Sequence, residues 1–288
     1  MDTILRNEKI DLEHICHLWI SNDVNNGRPL SRTTFYRLRQ SIDDMFGIRI
    51  ECNKQNQYYI SNPEALRDNS TQNWMLRTLT VNNILLDGLS IKDQLLLEDV
   101  PIGLEHLETI IKAIKNHHTL TMGYQKFIDP EPYTTRIEPY CLKLFHQRWY
   151  LLGKSERKDG RLGIYALDRM THLSESNQDF SMDPTFDAET YFNSYFGVIT
   201  DDETPVETIV LRAYPPMDNY LRTLPLHHSQ KELSATKEYS DFEYRLAPTL
   251  DFCQAILREG DELEVMAPAS LRKHIKEKLK SAANRYSK

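Results

Sequence analysis

The sequence predicts an α+β protein built of several modules, and three observations carry that expectation. Residues 11–60 read as helix, loop, helix and hairpin. Residues 119–173 read as short strands rich in Tyr, Leu and Ile. Residues 206–288 alternate strands and helices again. A chain of 288 residues has room for roughly two to four such modules.

The bulk composition narrows the class. Hydrophobic residues make up 40% and charged residues 27%, the balance of a soluble globular protein. No apolar run approaches the ~18 residues a membrane span needs. The first ten residues lack the apolar core of a signal peptide. Cys16, Cys52, Cys141 and Cys253 are scattered with no Cys-x-x-Cys, so neither a zinc site nor a disulfide framework is expected. A reducing, cytoplasmic setting and no membrane partner follow as expectations. The net charge of −7 and a pI near 5.8 argue against a protein that coats nucleic acid non-specifically. They leave room for one local basic surface.

The elements follow in order. A first helix is expected from Asp11 to Ile20, broken by Asn25-Asn26-Gly27-Arg28-Pro29. Ser31 has N-cap chemistry and opens a second helix. Its apolar stripe is Phe35, Leu38, Ile42, Met45 and Phe46, and Gly47 ends it. Ile48–Glu51 and Tyr58–Ile60 alternate like strands around the turn Asn53–Gln57. Residues 71–117 are helical in pattern, with one apolar face on Trp74, Leu76, Leu79, Ile84, Leu85 and Leu89. Another is on Leu104, Leu107, Ile110, Ile111 and Ile114. Such faces must bury against a neighbouring β-barrel or a second subunit.

Next comes Arg148-Trp149-Tyr150-Leu151-Leu152-Gly153, followed by Tyr165-Ala166-Leu167-Asp168-Arg169-Met170. Both alternate inward and outward residues, as adjacent strands of a small barrel do. Residues 181–205 hold six acids and no Lys or Arg, around the aromatic centre Tyr191-Phe192-Asn193-Ser194-Tyr195-Phe196. They read as a solvated acidic tether. Thr208–Leu211 and Glu262–Met266 read as strands, and Leu250–Arg258 and Pro268–Tyr286 as helices.

Catalytic signatures are sparse. The sequence contains no P-loop, dinucleotide-binding glycine motif, His-Glu-x-x-His or Gly-x-Ser-x-Gly. The pairs His117-His118 and His227-His228 point to opposite faces if extended, so neither chelates. The acids of 181–205 match no EF-hand loop. No catalytic residue, metal or cofactor is expected.

The Trp149-Tyr150-Leu151 segment resembles the WYL domain of bacterial transcription regulators. The resemblance extends over nearly the whole chain. Residues 11–60 resemble the winged helix-turn-helix of these regulators, with Pro29-Leu-Ser-Arg-Thr-Thr-Phe-Tyr36 opening the recognition helix and Gln57-Tyr-Tyr-Ile60 the wing's return strand. Residues 206–288 resemble the C-terminal WCX extension, through His228-Ser229-Gln230 and Ala267-Pro-Ala-Ser-Leu-Arg272. The implied layout is a winged helix-turn-helix at 1–66 and a helical connector at 67–117. A small Sm/SH3-like β-barrel (WYL) follows at 118–180, then the acidic tether at 181–205 and the WCX α+β module at 206–288. Two positions depart from the family. The segment before Asp11 is short where a full helix is usual. Tyr140 follows Pro139 where many relatives have histidine.

The resemblance implies a ligand-responsive, DNA-binding regulator, a homodimer on a palindromic double-stranded operator. On the second helix Thr33, Tyr36, Arg37 and Gln40 lie opposite the apolar stripe, with Arg32 at its flank. These residue types suit base edges and phosphates, and the plain alternative is a solvated helix face. Lys54 at the hairpin tip is placed to meet the DNA backbone. For the effector, the resemblance maps ligand-facing positions to Tyr124, Tyr140, Arg148, Tyr150 and Arg169. Arg136 and His146 lie on the same strands or their ends. Arginines with tyrosines suit a nucleotide or single-stranded nucleic acid. Trp149 is expected in the core, and the bland role for Arg169 is an ion pair with Asp168 or Glu138. Two other readings stand beside this one. One is a nucleic-acid or nucleotide sensor whose helix-turn-helix serves protein contacts, and the other is an enzyme acting on nucleotides.

Overall fold

The computed structural model describes residues 2–20, 29–67, 74–75, 78, 81, 103–127, 131–201 and 203–287. The loop 25–28 and the connector positions Leu76, Leu79, Ile84, Leu85 and Leu89 lie outside them. The chain divides into two compact units, Met1–Glu98 and Asp99–Lys288.

The first unit begins with α1 (Asp2–Asn7) and β1 (Ile10–Asp11), then α2 (Leu12–Ile20) and α3 (Arg32–Phe46). β2 (Ile50–Cys52) and β3 (Gln57–Ile60) follow as a hairpin, and β1 joins it to give the antiparallel order β1-β3-β2. Ser31 caps α3 by accepting from the Thr34 amide at 3.1 Å. Gly47 ends the helix at φ +62°, a left-handed conformation glycine adopts freely. Ile4, Ile10, Ile15, Leu30, Phe35, Ile50 and Tyr58 make the core. The short segment before Asp11 therefore supplies part of that core, with Ile4 only 3% exposed. Met45, expected on the apolar stripe, points outward at 54% exposure. Its neighbour Phe46 is half-buried instead. Neighbouring helical residues point about 100° apart, so of two adjacent apolar residues only one faces the core here.

The second unit opens with α4 (Leu104–Asn116) and five antiparallel strands. These are β4 (His118–Tyr124), β5 (Tyr133–Phe145), β6 (Arg148–Ser155), β7 (Leu162–Ala166) and β8 (Met170–Asp179), in the order β7-β6-β5-β4-β8. The apolar face of α4 lies on this sheet. Ile110 and Ala113 are fully buried against Leu120, Met122, Ile137, Leu151 and Leu167. Each large side chain so buried stabilises by ~1.5–3 kcal/mol. The expected closed barrel is not formed. Edge strands β7 and β8 are joined by a single turn, Leu167–Arg169, yet no ladder pairs them among the described residues. The sheet is an open, curled one. The alternation expected of β6 is likewise incomplete, since Leu151, Leu152 and Gly153 are all buried in succession. Trp149 is half-buried against the core.

Residues 181–205 keep their described acids exposed, and the segment also packs through its aromatic residues. They carry α5 (Ala188–Phe192) and a chain of aromatic contacts. Tyr140 packs on Phe180 and Phe186, with ring centroids at 6.1 and 4.9 Å. Phe196 meets Phe145 at 5.8 Å and Phe252 at 5.7 Å. The Asp251 carboxylate accepts from the amides of Val198 and Ile199, both at 2.7 Å. Gly197 is required beneath it, because a Cβ there would fall 2.3 Å from Asp251 Oδ2. Aromatic packing anchors the segment, while Asp183, Asp187, Glu189, Asp201 and Glu203 stay exposed to water.

The C-terminal module runs β9 (Glu207–Ala213), α6 (Met217–Thr223), β10 (Lys231–Ala235), β11 (Ser240–Leu246), α7 (Leu250–Arg258), β12 (Leu263–Ala267) and α8 (Ala269–Tyr286). The order β10-β11-β9-β12, antiparallel throughout, is the β-α-β-β-α-β arrangement of ferredoxin-like units with one added helix. The His228-Ser229-Gln230 segment is structural here. The Ser229 Oγ accepts from the Arg245 amide at 2.9 Å, and Gln230 ties the buried Tyr244 hydroxyl to the Leu221 carbonyl. Arg272 anchors α8 by donating to the Val265 carbonyl and pairing with Glu264, both at 2.5 Å.

Candidate functional site

The α3 face is assembled by helical periodicity alone. Phe35 packs inward against Tyr58, ring centroids 4.8 Å apart, and this fixes the rotation of the helix. Arg32, Thr33, Tyr36, Arg37 and Gln40 are all exposed on the other side, and Lys54 is exposed in the hairpin turn. The Tyr36 ring carries the Arg39 guanidinium 5.3 Å from its centroid, and its hydroxyl meets that of Tyr58. Gln40 donates to Asp44 at 2.9 Å. An acid one turn further along the helix thus engages the amide expected to read bases.

The sheet assembles a second cluster at one end. Register places Tyr124 opposite Met170, and Tyr150 opposite Ala166. The turn Leu167–Arg169 between those partners brings Asp168 and Arg169 to both tyrosines. Arg148, two residues from Tyr150 on β6, pairs with Asp168. The Asp168 side chain is 9% exposed and that of Arg148 32%. The pair is one-pronged: Arg148 Nε and Asp168 Oδ1 are buried without hydrogen-bond partners. Asp168 holds the Arg148 proton more firmly than usual. Burial raises the pKa of Tyr150 and of Tyr124. The Tyr124 hydroxyl accepts from the Ala166 amide at 3.2 Å, which ties edge strand β7 to β4 across the curled sheet. Arg169 makes no ion pair with Asp168 or Glu138. Its Nε donates to the Gln125 carbonyl at 3.0 Å, and its guanidinium lies 5.0 Å from the Tyr124 ring and 4.0 Å from Phe127.

Four of the seven expected ligand residues therefore meet: Tyr124, Arg148, Tyr150 and Arg169. The other three do not. Arg136 sits beside Glu156 at 3.1 Å. Tyr140 is 3% exposed, packed under residues 180–186, and its hydroxyl accepts from the Asp183 amide at 3.4 Å. His146 occupies the β5–β6 turn at φ +46°. The reason is length. β5 has 13 residues, and at ~3.3 Å per residue Arg136 and His146 stand ~30 Å apart along it.

The sequence reading missed the aromatic and basic residues that extend the cluster. Tyr165 and Tyr133 pack edge-on to Tyr124 at 5.2 and 6.0 Å. Arg157 and Lys126 lie over Tyr133 at 4.1 and 5.5 Å, and Lys158 over Tyr165 at 6.0 Å. Burial, then Lys126 and Arg161, lowers the Lys158 pKa. Phe127 is 81% exposed at its edge. A signal was present in Arg157-Lys158-Asp159-Gly160-Arg161, a basic turn between two strands. Stacked cations on tyrosine faces beside an incompletely satisfied arginine make a surface suited to anions with flat rings. Among the described residues, no group of three or more His, Cys, Asp or Glu is placed to hold a metal ion.

A family model described as the WYL domain matches residues 105–175, and one described as the WCX domain matches residues 205–283. No curated protein matches the sequence. Among solved structures, the proteasome accessory factor B/C (PafBC) of Arthrobacter aurescens is 19% identical at a TM-score of 0.33. That match covers 92% of this chain and 41% of PafBC, so the chain spans about two-fifths of that protein's length. A structure described as a CRISPR Cas-related protein is 11% identical at a TM-score of 0.42, over 90% of this chain and 74% of the other.

Proposed function

We propose, for a chain that belongs to the WYL-domain family and carries a WYL domain followed by a WCX domain, that it is a ligand-responsive DNA-binding transcription regulator. Residues 1–66 are read as its winged helix-turn-helix. α3 is the recognition helix, and β2–β3 form the wing. Arg32, Thr33, Tyr36, Arg37, Gln40 and Lys54 are its DNA contacts. Residues 67–117 are the connector, 118–180 the sensing domain and 181–205 the packed link to the WCX module at 206–288. The protein works in the cytoplasm as a homodimer on a two-fold operator, because one winged helix reads too few base pairs for a unique address.

One observation supports the effector class: the ring of cations and tyrosines around the Arg148–Asp168 pair. Arg148 and Arg169 hold phosphate, while Tyr124, Tyr150 and the neighbouring rings pack on bases. A nucleotide or single-stranded nucleic acid fits this chemistry. Binding there changes operator affinity by ~1–3 kcal/mol if the ligand prefers the DNA-free state. The Gln40–Asp44 bond favours a second reading, in which α3 serves protein contacts and the chain is a sensor alone. No residue set on the described surface asks for an enzyme.

A gel shift on DNA from the protein's own promoter, with a short single-stranded oligonucleotide titrated in, tests the proposal. Arg169→Met should leave operator binding unchanged and abolish the oligonucleotide response. Arg148 is the poorer choice, because its loss strands the Asp168 carboxylate. An unchanged response in Arg169→Met moves the sensing site elsewhere. No shift with any promoter fragment leaves the second reading.

A further inference from the structure

The final helix, α8, carries a charge opposite to that of the chain as a whole. It has six Lys and Arg against one acid, Glu277, so it is net +5 in a chain of net −7. Leu271 and Ile275 anchor its first two turns in the core of the C-terminal module. From Lys276 to Ser287 every residue is exposed. About 16 Å of helix therefore lies in water with none of its side chains buried.

Little of this charge is used within the chain. Arg272 pairs with Glu264, and Lys273 lies 4.0 Å from Glu277 in an exposed pair of the kind that contributes little. Lys276, Lys280 and Arg285 make no ion pair with a described residue. Cations that only offset the negative end of a helix belong in its last turn, and Arg285 alone is there. Lys273, Lys276 and Lys280 instead follow one another at three and four residues. Like charges at those spacings repel and oppose helix formation. At ~100° per residue the three lysines and Asn284 fall within a sector of about 80°, opposite Leu271 and Ile275. They form a straight ridge with rises of roughly 4.5, 6 and 6 Å. Such a ridge sheds its self-repulsion against a line of negative charge.

Duplex DNA is such a line, with one phosphate per ~1.7 Å of axis. Three other polyanions fit less well. A single strand binds on stacked rings, and the ridge has none. A membrane surface needs a broad apolar face, and beyond Ile275 the only large apolar side chains are Leu279 and Tyr286. The acidic segment of a second copy has its carboxylates engaged already, since Asp183, Asp187 and Asp201 accept hydrogen bonds from Thr185, Thr190 and Thr204.

We propose that the exposed ridge of α8 binds the phosphate backbone of double-stranded DNA without regard to sequence, through Lys273, Lys276 and Lys280. It is a DNA contact separate from α3, and it holds whether or not α3 reads bases.

Fluorescence anisotropy of the full chain on a labelled random-sequence duplex, from about 50 to 200 mM salt, tests this. The joint change Lys276→Gln and Lys280→Gln should lower the slope of log affinity against log salt by about 2 and weaken binding about tenfold or more at the lowest salt. Lys276→Arg with Lys280→Arg should restore both. The glutamine variant should melt at the same or a higher temperature, because the repulsion is gone. If it unfolds instead, Lys280→Gln alone carries the test, with a slope lower by about 1. Arg37→Ala should leave this slope difference in place, so failure of α3 as a reading helix and failure of the ridge are told apart. The proposal is overturned if the glutamine variant keeps the parent's slope and affinity, or if the parent binds no duplex at about 50 mM salt. It is equally overturned if the variant binds DNA as the parent does and halves its mass in light scattering, which would place the ridge against a second copy.

Discussion

Replacing Asp168 by asparagine removes the charge facing Arg148 and keeps the size of the side chain. Breaking a fully buried ion pair costs ~3–5 kcal/mol, because one charge is left dry and unpaired. Here the two partners differ in burial: 32% of the Arg148 side chain reaches solvent, against 9% for Asp168. Water therefore screens the arginine once the acid is gone, and Asp168→Asn should cost only about 1–2 kcal/mol. The converse change, Arg148→Met, leaves a carboxylate that water hardly reaches. It should cost more, about 3 kcal/mol. Urea unfolding followed by tryptophan fluorescence reads both, since Trp149 adjoins Arg148 on β6. The double variant should recover part of the loss, with a coupling of about 1–2 kcal/mol. Asp168→Asn also frees the Arg148 guanidinium, so a single-stranded oligonucleotide should bind more tightly. Equal costs for the two single changes, or a coupling near zero, would refute the claim that unequal burial governs this pair.

Three further outcomes are expected. Arg37→Ala should weaken specific operator binding by about 1–3 kcal/mol if Arg37 reads a base edge, and equal affinity at fixed salt removes it from the reading face. Burial and then His228 depress the His227 pKa to about 4, from an ordinary 6.5. Its Nδ1 lies 2.8 Å from Ser229 Oγ, and its buried Nε2 faces the Asn193 backbone without a well-formed hydrogen bond. The unfolded chain takes the proton first. Stability should be full above about pH 6.5 and fall by about 3 kcal/mol as pH drops toward 4, a slope that His227→Gln should remove in thermal unfolding. Light scattering at micromolar concentration should give twice the chain mass, and a monomer mass with and without DNA would count against the homodimer.

Local chemistry made much of the fold legible in the sequence. Ser31 and Gly47 bracket α3 because a hydroxyl and a left-handed glycine satisfy helix ends within a few residues of themselves. The helix Leu250–Arg258 and the long final helix declare themselves by period and by flanking prolines. The outward face of α3 follows from the same 3.6-residue repeat. What the sequence left open concerns partners far apart along the chain. Arg148 and Asp168 are twenty residues apart and meet only because the β7–β8 turn swings back beside β6. Tyr140 and the acids of 181–205 read as a site and a solvated tether. Packing buries the Tyr140 ring under Phe186 and anchors the acidic segment by its aromatics, its described acids still exposed. The open edge between β7 and β8, and the pairing of β10 with β11, depend on register across the sheet. Period and capping act within one turn or one strand, so the residues themselves determine them. Ion-pair choice, sheet closure and the docking of an acidic segment by its aromatics are competitions between distant groups for the same space, and only the tertiary structure decides those.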